Sequence, residues 1–202
     1  MTKEKLRRIK RAGKLGQKYE LVYHGCGQCT LAALQDVYAR NSEGDKAVFK
    51  ACSEFRGGVG KKTDGICGCY AGGVAFLNSI IGRERDHFDT SAKIRERACE
   101  LVDKLHDYFI KEYGSVICRD ILQKKFGRPF YLFDDEDLKK FEELGYHDPG
   151  ACDVTVGKAA EWVATIIEEE EVLTRPQPPL TEPRKPSGKV RQWLETAGKE
   201  AE

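Results

Sequence analysis

The sequence predicts an all-α protein, a single-domain helical bundle with a glycine-rich loop and a Pro-rich C-terminal tail. Two observations support this prediction. Apolar side chains recur every three or four residues in most segments, which is the period of an α-helix. Stretches rich in Gly, Pro, Asn and Asp separate these segments. The length of 202 residues is enough to bury one sizeable core, with a tail left over.

The N-terminal part predicts three helices. Residues 3–23 form a strongly charged helix with a loose apolar stripe, and glycines at 25–27 end it. A second helix opens with the Cys26–Cys29 segment and stops at the turn signal 41–44. A shorter third helix then carries apolar residues from Ala47 to Phe55.

The middle of the chain combines a loop with two apolar helices. Residues 57–65 (GGVGKKTDG) are too glycine-rich for a helix or a packed strand. Residues 67–73 follow, and the apolar segment 74–81 is interpreted as a buried helix. A long amphipathic helix is expected over 92–113.

The C-terminal part predicts helices over 118–126, 134–144 and 152–171. Residues 175–189 contain five of the seven prolines, so we expect a linker or disordered tail. Residues 190–197 fit either a terminal helix that docks through Trp193 and Leu194 or a mobile end. The predicted organisation is an N-terminal charged helix (1–24), a four-cysteine helical redox domain (25–173) and the Pro-rich linker with its terminal helix (174–202).

Composition and charge describe a soluble globular protein. The 34 basic and 33 acidic side chains give a net charge of +1, which exerts no general pull toward nucleic acid or an anionic membrane. The most apolar window, 67–82, is too short to span a bilayer. Arg7 and Arg8 are followed by no apolar signal region. We therefore expect a cytoplasmic protein with no nucleic-acid partner and no membrane insertion.

Eight cysteines are the most informative residues. In a reducing compartment, clustered thiols more often bind metal or do redox chemistry than form structural disulfides. Cys52 and Cys99 lie inside helical patterns, where we expect them to be buried core residues. The other six are Cys26, Cys29, Cys67, Cys69, Cys118 and Cys152.

These six cysteines lie near helix starts, where backbone N–H groups and the helix dipole favour a thiolate. Four positive helix ends could therefore converge on one anionic object, such as iron held by thiolates. His24 lies two residues before Cys26 and could replace a thiolate or shuttle a proton.

The order of the segments resembles a family of redox-active proteins named for its C-GCAxxG-C-C cysteine pattern. The first family cysteine matches Cys29 in QCTLAAL, and the glycine-containing motif matches residues 67–72 (CGCYAG). The third matches Cys118 in YGSVICRDIL, and the fourth matches Cys152. The resemblance runs from about Gly25 to Glu171. Cys69 stands where the family has alanine, and Cys26 is an addition.

The resemblance implies a helical domain that binds a metal or an iron-sulfur cluster, similar to the iron-sulfur part of split-Soret cytochromes. Members are often encoded near oxidoreductases or transporters. The implied ligands are Cys29, Cys67, Cys118 and Cys152. Cys26, Cys69 and His24 remain as additional ligands or redox thiols. The glycines expected to approach the cluster are Gly57, Gly58, Gly60, Gly65, Gly68 and Gly72.

The leading functional hypothesis is therefore an iron-sulfur protein for electron transfer or redox sensing, with an oxidoreductase as its redox partner. The first alternative is a thiol-disulfide oxidoreductase that uses Cys26 with Cys29 or Cys67 with Cys69. The second is a structural zinc site, which ranks below iron because the four cysteines are far apart in sequence. A homodimer that shares the cluster stays open.

Overall fold

The computed structural model describes residues 1–146, 148–183 and 185–197, the last three without their side chains. Within these ranges the chain forms nine α-helices and one 3₁₀ turn (Arg85–His87), with no sheet, which confirms the predicted all-α fold. The helices are α1 (Lys3–Tyr23), α2 (Cys26–Val37), α3 (Glu43–Ala51), α4 (Gly68–Ile81), α5 (Ala92–Tyr113), α6 (Cys118–Phe126), α7 (Asp135–Glu143), α8 (Cys152–Glu169) and α9 (Gly188–Ala197).

One helix begins earlier than the sequence predicts, and another begins at its predicted cysteine motif in spite of its glycines. Helix α3 starts inside the expected turn because Ser42 and Asp45 form a capping box, in which each side chain accepts from the backbone N–H of the other. Helix α4 starts at Gly68 and takes in residues 68–73, although glycine is a poor helix former. The glycines are retained there because neighbouring backbone lies too close for a side chain, as shown below.

Helix α1 lies antiparallel to α8 and belongs to the same core. The guanidinium of Arg8 donates two hydrogen bonds to the Glu168 carboxylate, at 2.6 and 2.9 Å. At the other end of the contact, a Cβ on Gly16 would lie 3.1 Å from the Val156 carbonyl oxygen. Ile9 and Ala12 are buried in the main core between these points.

Two hydrophobic clusters fill the interior. The main core joins α1, α2, α4, α5 and α8, and its largest fully buried side chains include Phe76, Leu105 and Phe109. A smaller, largely aromatic cluster joins α6, α7 and the segment between them; its buried members are Cys118, Leu122, Phe130, Leu132 and Phe141. The cysteine site lies where the two clusters meet.

The segment after α8 runs back over the bundle without regular structure. The Gln177 amide donates to the Ile80 carbonyl at 3.0 Å, and the Thr181 backbone N–H donates to the Thr90 carbonyl at 2.7 Å. The predicted terminal helix is present as α9, but Trp193 and Leu194 are 63% and 49% exposed. Among the helices described, none is both long and apolar enough to cross a membrane.

Candidate cysteine-lined site

Five cysteine side chains line one largely enclosed cavity between the two hydrophobic clusters. They are Cys26, Cys67, Cys69, Cys118 and Cys152. The cavity has a volume of about 30 Å³, which is room for one or two water molecules. Its other walls include Leu132, Phe141 and Tyr146, so sulfur atoms face one another in an otherwise mostly apolar space.

Each of these cysteines comes from the N-terminal end of a helix. Cys26, Cys118 and Cys152 are the first residues of α2, α6 and α8. Cys67 is the N-cap of α4, and Cys69 lies in the first turn of that helix. Four helix N-termini therefore meet at the cavity, where their positive ends favour negatively charged sulfur.

An antiparallel bridge between Ile66 and Ile117 brings α4 and α6 together. The backbone N–H of Cys67 donates to the Val116 carbonyl at 2.7 Å, and the N–H of Cys118 donates to the Gly65 carbonyl at 3.0 Å. These two hydrogen bonds fix the starting points of both helices relative to each other. The side chains of Cys67 and Cys118 are thereby held on the same cavity.

Close backbone contacts bring α2 against α4. A Cβ on Gly72 would overlap the Gly27 carbonyl oxygen, and a Cβ on Gly27 would overlap the Phe55 carbonyl oxygen. A Cβ on Gly68 would overlap both that same Phe55 oxygen and the Cys26 sulfur. Only glycine at these positions allows Cys26 to reach the α4 cysteines.

The predicted glycine loop closes one side of the cavity. Gly57 lines it directly, and the loop is tied down where the Thr63 hydroxyl donates to the Phe130 carbonyl at 2.6 Å. Gly58 and Gly60 have φ angles of +72° and +61°, a conformation that costs most residues energy. Gly65 contributes through its carbonyl, which accepts from Cys118.

The electrostatics of the cavity single out Cys67. A hydrogen bond from the Cys69 thiol and the backbone N–H groups of Cys69 and Tyr70 lower the pKa of Cys67, although burial opposes this. The pKa of Cys69 is raised because its thiol hydrogen-bonds to the Cys26 and Cys67 sulfurs and is buried. Cys67 is therefore the thiol that ionises first in this pair.

Burial has the largest effect on the thiols at the starts of α6 and α8. It raises the pKa values of Cys118 and Cys152, and the nearby Cys67 and Cys26 sulfurs add to both shifts. The Lys125 ammonium partly offsets the rise at Cys152, and it also donates to the Thr155 hydroxyl at 3.2 Å. A cation would therefore be required to hold several of these sulfurs as thiolates at once.

Cys29 lies outside this cavity. Its thiol donates to the His24 carbonyl at 3.2 Å, and both residues line a separate, open groove with Tyr19, Tyr23 and Phe49. Burial and the neighbouring Glu20 carboxyl raise the pKa of Cys29. Of the four ligands implied by the resemblance, the structure thus brings Cys67, Cys118 and Cys152 together and leaves Cys29 apart, along with His24.

The cysteine pattern is that of a described family. A family model with the description "Putative redox-active protein (C_GCAxxG_C_C)" matches residues 24–166, more than two thirds of the chain. The chain belongs to this family. No curated protein and no solved structure is significantly similar to it.

The two cysteines that depart from the family pattern both lie in the cavity. The sequence predicts Cys26 and Cys69 as additional ligands or redox thiols, and the structure places them beside the family cysteines Cys67, Cys118 and Cys152. No group of three or more Cys, His, Asp or Glu side chains in the described part of the chain is already arranged to hold a metal ion.

Glu20 also belongs to this region, although no motif in the sequence points to it. Its side chain is buried, and neither carboxylate oxygen has a hydrogen bond of ordinary geometry among the described residues. Burial raises the pKa of Glu20 to about 7, and the Cys29 thiol and Tyr146 hydroxyl oppose this only in part. The available signal was its position, four residues after Gly16 on the buried face of α1.

Cys52 and Cys99, the two cysteines expected to be ordinary core residues, differ in their burial. Cys52 is buried in the main core, as predicted. The prediction for Cys99 is wrong, because it is exposed on α5. Helical spacing places Cys99 beside apolar neighbours in sequence, but the face of α5 that packs inward is centred on Leu101, Leu105 and Phe109.

Proposed function

We propose that this protein carries a cysteine-ligated iron-sulfur cluster at the cavity and serves in electron transfer or redox sensing. The observation that supports this most is the convergence of five cysteine side chains from four helix N-termini on one enclosed space. A bound cluster would supply a one-electron redox couple. The protein would supply the thiolates, the apolar walls and the backbone dipoles that tune the couple.

The residues present fit this group by the chemistry of their donors. Soft thiolate ligands select iron-sulfur clusters, copper(I) or zinc. The lowered pKa of Cys67 favours it as the first thiolate to bind iron. The raised pKa values of Cys118 and Cys152 mean that a bound cation must stabilise their ionised forms. A cluster larger than one ion also requires side-chain rotation, since the space is about 30 Å³.

The cavity favours Cys26, Cys67, Cys118 and Cys152 as the four ligands, with Cys69 as a neighbouring thiol. Cys26 replaces Cys29 in this set because only Cys26 lines the cavity. The ligand role that the resemblance implies for Cys29 stays a prediction, and the matched pair Cys26→Ser and Cys29→Ser decides between them.

The deciding experiment is purification without oxygen, followed by reconstitution with iron and sulfide. We expect visible charge-transfer absorption that bleaches with dithionite, together with bound iron and sulfide. Cys118→Ser and Cys26→Ser should lose this absorption, whereas Cys29→Ser and the exposed-site control Cys99→Ser should keep it. A colourless, iron-free protein after reconstitution refutes the cluster, and stoichiometric zinc in its place supports the zinc alternative.

Thiol-disulfide exchange is the second candidate, and one observation favours it. The Cys69 thiol hydrogen-bonds to the Cys67 sulfur, so a thiolate of lowered pKa has a neighbouring thiol. Oxidation of this pair would form one S–S bond and release two electrons and two protons to a disulfide-containing partner. Iron-free protein should then reduce a model disulfide, and Cys69→Ser should trap the mixed disulfide. No turnover in the iron-free protein contradicts this candidate.

We also propose a cellular location and a partner for this redox protein. Free thiols at the site are compatible with a reducing compartment, so the cytoplasm remains the proposed location. The proposed partner is an oxidoreductase or other redox protein that exchanges electrons with the cavity.

A further inference from the structure

One face of α1 carries a row of exposed cations, which we call the basic stripe. It consists of Lys3, Arg7, Lys10, Arg11, Lys14 and Lys18, with Leu6 and Leu15 between them. The spacing of three or four residues places all six on one side of the helix. At a rise of about 1.5 Å per residue, the row is about 22 Å long.

The stripe is unpaired, unlike the other cations of the same helix. Arg8 binds Glu168 and Glu4, and Lys5 binds Glu171 and the Glu168 carbonyl. None of the six stripe residues forms an ion pair or a side-chain hydrogen bond with any residue that the structure describes. Lys10 does act on the half-buried Glu161 of α8, where its charge opposes the rise in the Glu161 pKa that burial causes. Six like charges side by side repel one another, and this one attraction does not account for the whole row.

The rest of the chain, outside the basic stripe, carries a net negative charge. Six of the 34 basic residues lie in the stripe, which leaves 28 cations against 33 acidic residues in the rest of the chain. An extended polyanion or a membrane surface, being larger than the stripe, would also meet this acidic remainder. A protein with a compact acidic patch of matching length would meet the cations alone.

The C-terminal end of the stripe borders the groove that holds Cys29. Tyr19 and Tyr23, which follow Lys18 on α1, line that groove together with Cys29. The Glu20 carboxyl lies on the opposite, buried side of α1, where it faces the Cys29 thiol and the Tyr146 hydroxyl. A partner that extends past Lys18 would therefore reach the groove beside Cys29.

We infer that the basic stripe of α1 is the docking surface for an acidic redox protein. Leu6, which is 44% exposed, and the apolar stems of the lysines would supply contact area between the charges. The complex would be weak and transient, because exposed charge pairs contribute mainly to association rate and orientation. The inference rests on the proposed redox function, since that function is what requires a redox partner.

The test uses cluster-free protein, so that its result does not depend on whether iron binds. An acidic plant-type ferredoxin is the probe, and its dissociation constant is measured by calorimetry. We expect binding at about 20 mM NaCl that is lost at about 300 mM, because the Debye length shortens severalfold. The charge-reversed variant Lys10→Glu/Arg11→Glu/Lys14→Glu should bind at least about tenfold more weakly.

Two control variants make the result specific. Lys50→Glu/Arg95→Glu/Lys111→Glu changes the net charge equally at exposed positions on α3 and α5, and it should bind like wild type. The neutral variant Lys10→Gln/Arg11→Gln/Lys14→Gln should be intermediate, and circular dichroism checks that both stripe variants fold.

Three outcomes overturn the inference. The first is no ferredoxin binding at low salt, and the second is equal weakening in the stripe and control variants. The third is tighter, stripe-dependent binding to a DNA duplex or to anionic phosphatidylserine vesicles, which would assign the stripe to nucleic acid or membrane. If the protein fails to bind iron on reconstitution but the cluster-free protein still binds ferredoxin through the stripe, only the proposed cluster is refuted.

Discussion

Cys67 and Cys118 lie on opposite sides of one antiparallel bridge, 51 positions apart in the chain, and face the same cavity. Each supplies the backbone N–H of one hydrogen bond of the bridge, to Val116 and Gly65 respectively. The cysteines are therefore positioned by their own backbone, which leaves their sulfurs available. This arrangement preorganises two thiol donors whether the site takes a metal or exchanges disulfides.

Gly72→Ala should disrupt the contact between α2 and α4. The new Cβ would overlap the Gly27 carbonyl oxygen, which is backbone and has little room to move. We expect a loss of about 1–3 kcal/mol in the free energy of unfolding, despite the higher helix propensity of alanine. Urea unfolding followed by circular dichroism measures this change.

Gly44→Ala is the matched control for that variant. Gly44 also lies within a helix, α3, and the nearest atom to a new Cβ is the Ser42 hydroxyl at 3.6 Å. In Gly44→Ala the higher helix propensity of alanine acts without any steric overlap of the new Cβ. The free energy of unfolding should therefore be unchanged or should rise by up to about 1 kcal/mol. Equal effects of the two substitutions would show that the α2–α4 contact tolerates a side chain.

Cys67 should be the most acidic thiol of the cavity in reduced, metal-free protein. Hydrogen bonds from the Cys69 thiol and from backbone N–H groups at the start of α4 lower the pKa of Cys67. Thiolate absorbance in the ultraviolet should therefore show one titration below the usual cysteine range. Cys67→Ser should remove this step and Cys99→Ser should leave it. A first step that survives in Cys67→Ser belongs to another thiol.

Glu20 should make the protein less stable as pH rises. Its pKa of about 7 in the folded state lies above the ordinary glutamate value of 4.5. The contribution of Glu20 to the free energy of unfolding is therefore fully present below pH 4.5 and is lost as pH rises through about 7. Over this range the free energy of unfolding falls by up to about 1.4 kcal/mol per pH unit. The free energy of unfolding of Glu20→Gln should match that of wild type near about pH 5 and exceed it near about pH 8. Urea unfolding at both pH values measures the difference, and a constant difference would contradict burial as the cause.

Glu168 should show the opposite pH dependence. The hydrogen bonds that Arg8 donates lower the pKa of Glu168 in the folded state. The contribution of Glu168 to the free energy of unfolding is therefore present above the pKa of Glu168 in the unfolded state, and it is lost as pH falls through the pKa in the folded state. Glu168→Gln should cost about 1–3 kcal/mol near neutral pH, because the Arg8 guanidinium loses its charged partner. Unfolding at neutral and acidic pH should show the cost shrinking with acidity. A cost independent of pH would mean that shape, and not charge, governs this contact.

Local sequence signals predicted most of the fold because helical spacing is decided within a few turns of chain. The helices at Lys3–Tyr23, Ala92–Tyr113 and Cys118–Phe126 begin and end where the pattern of apolar residues and glycines predicts. Local spacing does not explain the glycines within α4, since glycine is a poor helix former. Gly68 and Gly72 lie against the Phe55 and Gly27 carbonyls, which belong to other segments of the chain.

Local patterns in the sequence are enough to predict the fold class, the family and the placement of cysteines at helix starts. They do not predict which cysteines share a cavity, since Cys26 and Cys29 lie on one helix, three residues apart, and face different spaces. That outcome depends on the rotation of α2 about its axis, which Leu31 and Leu34 fix by packing into the main core. The burial of Glu20 likewise depends on distant segments, since Cys29 of α2, Asp153 of α8 and Tyr146 all lie near its carboxyl. Both are consequences of contacts between distant segments, which local spacing does not encode.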